Sequence, residues 1–248
     1  MRYLVLSDVH ANATALAAAL GACEGQWDQV VCLGDVVGYG PDPNEVVEQV
    51  RGLVTAIIRG NHDKAVCGLG DLEDFNSVAR SAVEWTRRQL HPENLRFLAE
   101  MPAGPLHIDG LTLVHGAFHD EDEYVLVPEQ AMDGLLLAPG AVTFFGHTHL
   151  QGGFSFRDSE LEMIPLKPPR AEARFAALRL ESGSRYLLNP GSIGQPRDGD
   201  ARAAFAIVDS NQAVVEFWRV SYDIRSVQER MRRAGLPEPL AVRLAAGH

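Results

Sequence analysis

Short apolar runs alternate with amphipathic stretches through the first sixty residues. Tyr3–Leu6 is a continuous apolar run that meets Ser7-Asp8, the pattern of a buried strand ending in a polar turn. Ala13–Cys23 places Leu16, Leu20 and Cys23 at helical spacing, with Asn12 positioned to cap the first turn. Gln29–Leu33 predicts a second buried strand. The turn-rich segment Gly38-Tyr39-Gly40-Pro41-Asp42-Pro43 leads into a helix through Val46, Val47 and Val50, with Pro43 suited to its first turn. Leu53–Ile58 predicts a third strand. Strand–helix–strand–helix–strand implies a parallel sheet with right-handed crossovers.

The pattern then changes. From Lys64 to Met101 the spacing predicts two helical pieces, one with Val78, Ala82 and Trp85 on a stripe and one with Leu95 and Leu98. Leu106–Ile108 and Leu111–Val114 flank Asp109-Gly110, a strong signal for a tight hairpin turn. Val142–Phe145 predicts a further buried strand, and Phe205–Val208 with Ala213–Trp218 a second hairpin around Asp209-Ser210-Asn211. Ile224 to Ala246 predicts one or two helices, broken near Gly235-Leu236-Pro237. No repeat, low-complexity segment or linker interrupts the pattern, so a single domain over residues 1–248 is expected.

Composition narrows the classes. Hydrophobic residues make up 46% and charged residues 22%, enough to bury a core and against disorder or a disulfide scaffold. Asp and Glu outnumber Lys and Arg 33 to 22, giving −11 at pH 7. A surface that acidic repels phosphate backbones, so bulk nucleic-acid binding is not expected unless metal ions supply positive charge locally. Cys23, Cys32 and Cys67 lack metal-ligand spacing and read as reduced thiols. The apolar N-terminal run is too short for a signal peptide, and no run approaches the roughly 20 apolar residues of a membrane span. A cytoplasmic protein without membrane association is expected.

The chemistry sits where strands end. Asp8-Val9-His10, Gly34-Asp35, Gly60-Asn61-His62-Asp63 and Gly146-His147-Thr148-His149 each follow a predicted strand, and His115-Gly116 follows the hairpin strand. Five of the nine histidines fall in these clusters, which argues against chance placement. Asp8 and His10, and His147 and His149, are two apart and so face one side of an extended segment. Carboxylates, imidazoles and an amide oxygen form a mixed N/O set suited to manganese, iron, zinc, nickel or cobalt. No cysteine joins them, which disfavours a purely structural zinc site.

This ordered set resembles the calcineurin-like metallophosphoesterase superfamily, whose blocks run D-x-H, G-D, G-N-H-D/E, a separate His, and G-H-x-H. Asn189-Pro190-Gly191-Ser192-Ile193-Gly194-Gln195-Pro196-Arg197 is similar to the closing loop of the small bacterial and archaeal phosphodiesterase branch. The resemblance spans roughly residues 1 to 220. It implies an α/β four-layer sandwich of two mixed β-sheets flanked by α-helices, with a helical insertion around residues 64–101. It also implies two divalent transition-metal ions, manganese foremost. Asp8, His10 and His149 would hold one, Asn61, His115 and His147 the other, with Asp35 bridging. Two dications exceed the charge of Asp8 and Asp35 by two, which attracts an anionic phosphate. A metal-bridging hydroxide would attack the phosphorus.

His62 matches the superfamily's non-ligand histidine, which protonates the leaving group or stabilises the transition state. Asp63, the second catalytic candidate, either hydrogen-bonds His62 or caps the following segment. The sequence departs from the protein Ser/Thr phosphatases, whose Asp-Arg soon after the bridging Asp grips phosphate: here Val36-Val37-Gly38-Tyr39-Gly40 follows Asp35. Without that arginine a phosphodiester is preferred to a monoester. The alternatives are a phosphomonoesterase, a nucleotide pyrophosphohydrolase of the dinucleoside polyphosphate type, or a non-catalytic protein-binding scaffold. A small phosphoester or nucleotide is the expected partner, and a homodimer is compatible with the chain. Asp120-Glu121-Asp122-Glu123 reads as a solvated loop, Arg59 as a salt-bridge residue at a strand end, and Arg197 and Asp198 as cleft-lining candidates.

Overall fold

In the computed structural model, which describes residues 1–73, 75–164, 166 and 173–248, Arg2–Leu6 forms β1 and Ala13–Ala22 forms α1. Asn12 caps α1 as expected, its Oδ1 accepting from the Ala15 N–H at 3.1 Å. Gln29–Cys32 is β2, Pro43–Leu53 is α2 and Ala56–Ile57 is β3. The third strand is shorter than the apolar pattern predicts. Leu53 still belongs to α2, whose last turn closes with the Val54 N–H on the Val50 carbonyl at 3.0 Å. Only two residues remain for the ladder with β2.

Between residues 61 and 101 the described residues form three helical pieces rather than two: α3 (Asn61–Val66), α4 (Ser77–Gln89) and α5 (Pro92–Glu100). The first begins inside the Gly60-Asn61-His62-Asp63 block. The predicted hairpin is β4 (Leu106–Ile108) and β5 (Leu111–Leu113), turning on Asp109 at φ 46° and Gly110 at φ 85°. Two consecutive positive φ values match the twist of the strands they join. There follow α6 (Pro128–Leu136), β6 (Val142–Phe144), β7 (Gly152–Arg157), β8 (Glu160–Ile164), β9 (Phe175–Arg179) and β10 (Arg185–Asn189). The second predicted hairpin is β11 (Ala203–Asp209) and β12 (Val214–Val220). The chain closes on α7 (Ile224–Arg233) and α8 (Glu238–Ala246), broken at the expected Gly235-Leu236-Pro237.

The strands form two mixed six-stranded sheets, ordered β3-β2-β1-β11-β12-β9 and β4-β5-β6-β10-β7-β8. β1, β2 and β3 run parallel, as do β5, β6 and β10, while β11 and β7 pair antiparallel to β1 and β10. Tyr3, Val5, Leu33, Phe144, Leu188 and Phe217 fill the layer between the sheets. The alternate residues Leu4, Leu6, Phe205 and Trp218 face outward onto α1, α2 and α5. Leu187 and Phe154 face α6 on the far side. Period-two alternation thus gives each strand two apolar faces, and the four expected layers result. Each fully buried Leu or Phe contributes about 1.5–3 kcal/mol. No helix among the described residues is long and apolar enough to cross a membrane.

Both parallel trios point their carboxyl ends to the same edge. That edge is where the sheets meet, and the strand-end clusters assemble there.

Candidate metal centre

Three of the clusters leave their strands through turns that need left-handed backbone. Asp8, His10, Asp35, His147 and His149 all carry positive φ, between 47° and 64°. Non-glycine residues in this region cost of order 1 kcal/mol each and persist only where surrounding contacts hold them. Here they aim side chains from two sheets at one place. Gly60 serves differently: a Cβ there would lie 2.2 Å from Asp35 Oδ1, so only glycine lets the carboxylate lie against the backbone.

The ligand atoms converge in two groups that share Asp35. Those of Asp8, His10, Asp35 and His149 lie within 4.8 Å of one another, as do those of Asp35, His115 and His147, and all these residues are buried. Asp35 Oδ2 stands 3.5 Å from His10 Nε2 and 3.6 Å from His115 Nε2, between the two groups. Asn61 Oδ1 lies 3.3 Å from His115 Nε2, which brings the amide oxygen to the second group. All seven residues expected as ligands therefore meet.

Backbone carbonyls decide which imidazole nitrogen faces the centre. His10 Nδ1 donates to Val37 O at 3.1 Å, His115 Nδ1 to Leu33 O at 2.8 Å, and His149 Nδ1 to Gln195 O at 2.5 Å. Each leaves Nε2 as the free lone pair. His147 is reversed: Nε2 donates to Asp122 O at 3.1 Å, freeing Nδ1. Such outer contacts fix tautomer and ring orientation. They also leave His10 Nε2 and His149 Nε2 3.0 Å apart, two lone pairs directed at one point. A divalent cation would satisfy both lone pairs at once, so the residues present fit a metal pair.

The electrostatics agree. Burial, followed by repulsion from Asp63 and Asp8, raises the Asp35 carboxyl well above the usual range, a penalty that cations would remove. Burial alone would raise Asp8 too, but His149, His115 and His10 together outweigh it and hold Asp8 below the usual range. Burial lowers His10 and His149, and lowers His147 to about 3, so these imidazoles are neutral and ready to ligate at pH 7.

His62 stands beside this centre, its ring centroid 4.4 Å from Tyr39 and 5.0 Å from both His10 and Phe75. Its backbone N–H donates to Asp35 Oδ1 at 2.9 Å, while buried Nδ1 has no partner. Asp63 does not bond the His62 ring. Its Oδ2 accepts from the Gly60 and Val36 N–H groups at 3.0 and 3.3 Å, and its Oδ1 from Val37 at 3.1 Å. Those bonds tie the turn after β3 to the turn after β2, the capping alternative of the two expected for it. The cleft above has a volume of about 400 Å³, with Tyr39, Leu69, Phe75, Tyr124 and Arg197 in its walls. Leu69 and Phe75 come from the segment between α3 and α4, so the helical insertion builds one side of the opening.

In the acidic loop Asp120, Asp122 and Glu123 are exposed, as expected, but Glu121 is partly buried. Glu121 takes a paired contact from Arg59, at 2.9 Å to Nη2, and a second from Lys64 Nζ at 3.1 Å; Lys64 also grips Asp122. The loop so held presents the Asp122 carbonyl to His147. Sequence gave no local sign of this, because the partners lie about sixty positions apart. Replacing Glu121 with Gln frees Arg59 and loosens the loop. Metal titration by calorimetry should then show the ion held by Asn61, His115 and His147 weakened by about tenfold, with the other unchanged.

Comparison with known proteins extends these observations. A model of the calcineurin-like phosphoesterase superfamily domain matches residues 1–213. An uncharacterized protein of Methanocaldococcus jannaschii is 36% identical over 248 residues, covering 98% of this chain and 97% of its own. Among solved structures, a metallophosphoesterase from Sphaerobacter thermophilus is 41% identical with a TM-score of 0.82, covering 100% of this chain and 99% of that one. A hypothetical protein of Pyrococcus horikoshii shares the fold at 20% identity and a TM-score of 0.76, over 100% and 98% of the two chains.

Proposed function

The chain belongs to the calcineurin-like phosphoesterase superfamily, and from that premise we propose that it hydrolyses a small phosphodiester with two divalent ions, manganese foremost. The observation that carries this reading is the pair of buried ligand groups sharing Asp35 at the floor of one cleft. Asp8, His10 and His149 would hold one ion and Asn61, His115 and His147 the other. When bound, the ions supply Lewis acidity, neutralising charge on phosphoryl oxygens and acidifying the attacking water.

The chain's own residues do the rest. Asp35 ties the two ion positions together. His62 faces the phosphoryl group as a neutral imidazole, because burial, followed by repulsion from Arg197, pushes its pKa well below the usual value. A neutral ring stabilises the developing charge by donating a hydrogen bond, which favours that role over full protonation of the leaving group. Asp63 braces the turns on which Asp35 and His62 ride. The aromatic walls Tyr39, Phe75 and Tyr124 flank the floor and suit organic substituents on both sides of a diester. All three cysteines are free, and the reducing cytoplasm is the compartment we propose.

A second reading, a phosphomonoesterase or nucleotide pyrophosphohydrolase, draws support from Arg197 in the cleft wall, since an added cation favours a more highly charged phosphoryl group. The two are separated by stripping the metals, restoring Mn²⁺ and comparing bis-p-nitrophenyl phosphate with p-nitrophenyl phosphate. Restored cleavage with the diester faster is expected. A faster monoester would move the assignment to the second reading. Two bound ions without cleavage of either would point to a scaffold.

A further inference from the structure

Phosphate has no arginine to grip it directly after Asp35, yet a guanidinium reaches the same cleft from the far end of the chain. We propose that Arg197 is the receptor for the non-bridging oxygens of the scissile phosphoryl group, with Tyr39 and Gln195 holding its fork in place. This inference rests on the phosphoester reading above and names the residue that grips its substrate.

The closing loop that carries Arg197 is tied to the ligand turns along its length. The Ile193 N–H donates to Ser7 O at 3.1 Å, and the Gly194 N–H to Asp8 O at 2.9 Å. A Cβ at Gly194 would lie 2.0 Å from Val9 O, so the loop threads past the β1 turn only as glycine. The Arg197 N–H itself donates to His149 O at 3.2 Å. Its position is thus set by the same backbone that sets the metal ligands, which is what a phosphate clamp requires.

The hydrogen-bond partners of the guanidinium are neutral. Nη2 donates to Gln195 Oε1 at 3.2 Å and to the Tyr39 hydroxyl at 3.4 Å, with Cζ 5.8 Å from the Tyr39 ring. Among the described residues no carboxylate forms an ion pair with it. The adjacent Asp198 is taken by Arg219. Lys64, the other cation in the cleft wall, is taken by Glu121 and Asp122. A desolvated guanidinium with no directly paired carboxylate is costly and is completed by an anion with paired oxygens. Beside it the buried Gln195 Nε2 is a donor without a partner. Arg197 lines the same cleft as Asp35, Asn61, His147 and His149, which places it at the centre rather than on a remote surface.

The test is calorimetric binding of inorganic phosphate to Mn-loaded protein, with metal content measured on the same samples. Arg197→Met should weaken phosphate by roughly 10- to 100-fold, the range for losing hydrogen bonds to a charged group, and Arg197→Lys should recover part of it. Tyr39→Phe keeps the ring but drops one contact to the fork, and should weaken phosphate by about 2- to 5-fold. Both ions should remain bound in every variant. A phosphate affinity within twofold of wild type in Arg197→Met overturns the assignment. Loss of metal from Arg197→Lys does so too, making the residue a strut of the ligand loop. If the wild type neither binds phosphate nor cleaves either nitrophenyl ester, it is the phosphoesterase reading that fails.

Discussion

Asp35→Asn should abolish metal-restored phosphoester hydrolysis, with a fall of at least about 10³-fold, and should reduce bound metal from two ions per chain to one at most. Asn matches Asp in shape, and its Oδ1 can still accept from the His62 N–H. What it lacks is the charge and the second anionic oxygen that stands between His10 and His115. Without metals the sign reverses. Asp35 is raised by burial and then by Asp63 and Asp8, so between the ordinary carboxylate pKa and its folded value the metal-free protein holds a proton that the unfolded chain would release. Such a group stabilises the fold below the ordinary carboxylate pKa and loses that contribution as pH rises toward its folded value. At neutral pH, apo Asp35→Asn should therefore melt no lower than apo wild type, while the increase in Tm on adding Mn²⁺ should vanish. Calorimetric melting with and without metal reads both. Undiminished hydrolysis in the variant would contradict the shared-ligand assignment.

His62→Asn should retain two ions and a near-native melting temperature but lose about 10²–10³ in kcat, the usual effect of removing one preorganised donor to developing charge. The ring ligates nothing, so metal content should not change. It packs against Tyr39 and Phe75, so a merely structural histidine would instead show a lower Tm with kcat preserved. Measuring kcat, KM, metal content and Tm on one preparation distinguishes these outcomes. A large rise in KM with unchanged kcat would place His62 in ground-state binding instead.

The ligand set was legible because every member lies within five residues of the end of a strand, where the apolar run and the polar block are adjacent in sequence. Asp35 and Asn61 need no distant information to be noticed. The shared role of Asp35 came from resemblance, and the structure supplies its geometric basis. The helical insertion could be seen in outline, but α3 starts within a ligand block and so hid its own boundary. Strands β7 to β9 and helix α6 gave little signal. β8 and β9 are half-exposed, with Glu160 and Glu162 interrupting the apolar positions of β8 and Arg179 ending those of β9, so pairing with their neighbours is what makes them strands. Lys64 and Glu121 escaped for a related reason: each looks like an ordinary surface charge until the fold brings them to 3.1 Å. Arg197 was visible as a lone cation in a Gly/Pro loop. Nothing local showed that its neighbour Asp198 would pair with Arg219 and leave it without an acid.

The seam between the sheets gives the ions a mechanical meaning. Asp8, His10, Asp35 and Asn61 follow strands of one sheet, and His115, His147 and His149 follow strands of the other. Either ion, in the assignment above, takes ligands from both sides. Even without them the Asp8 carboxylate reaches across to the His147 N–H at 3.2 Å. Each bound ion would then be a rivet through the sandwich, fastening its halves at the end where the strand-end turns meet. Scarcity of metal would loosen the whole body along with the chemistry, so supply of the ions governs how long the folded protein lasts as well as how fast it works.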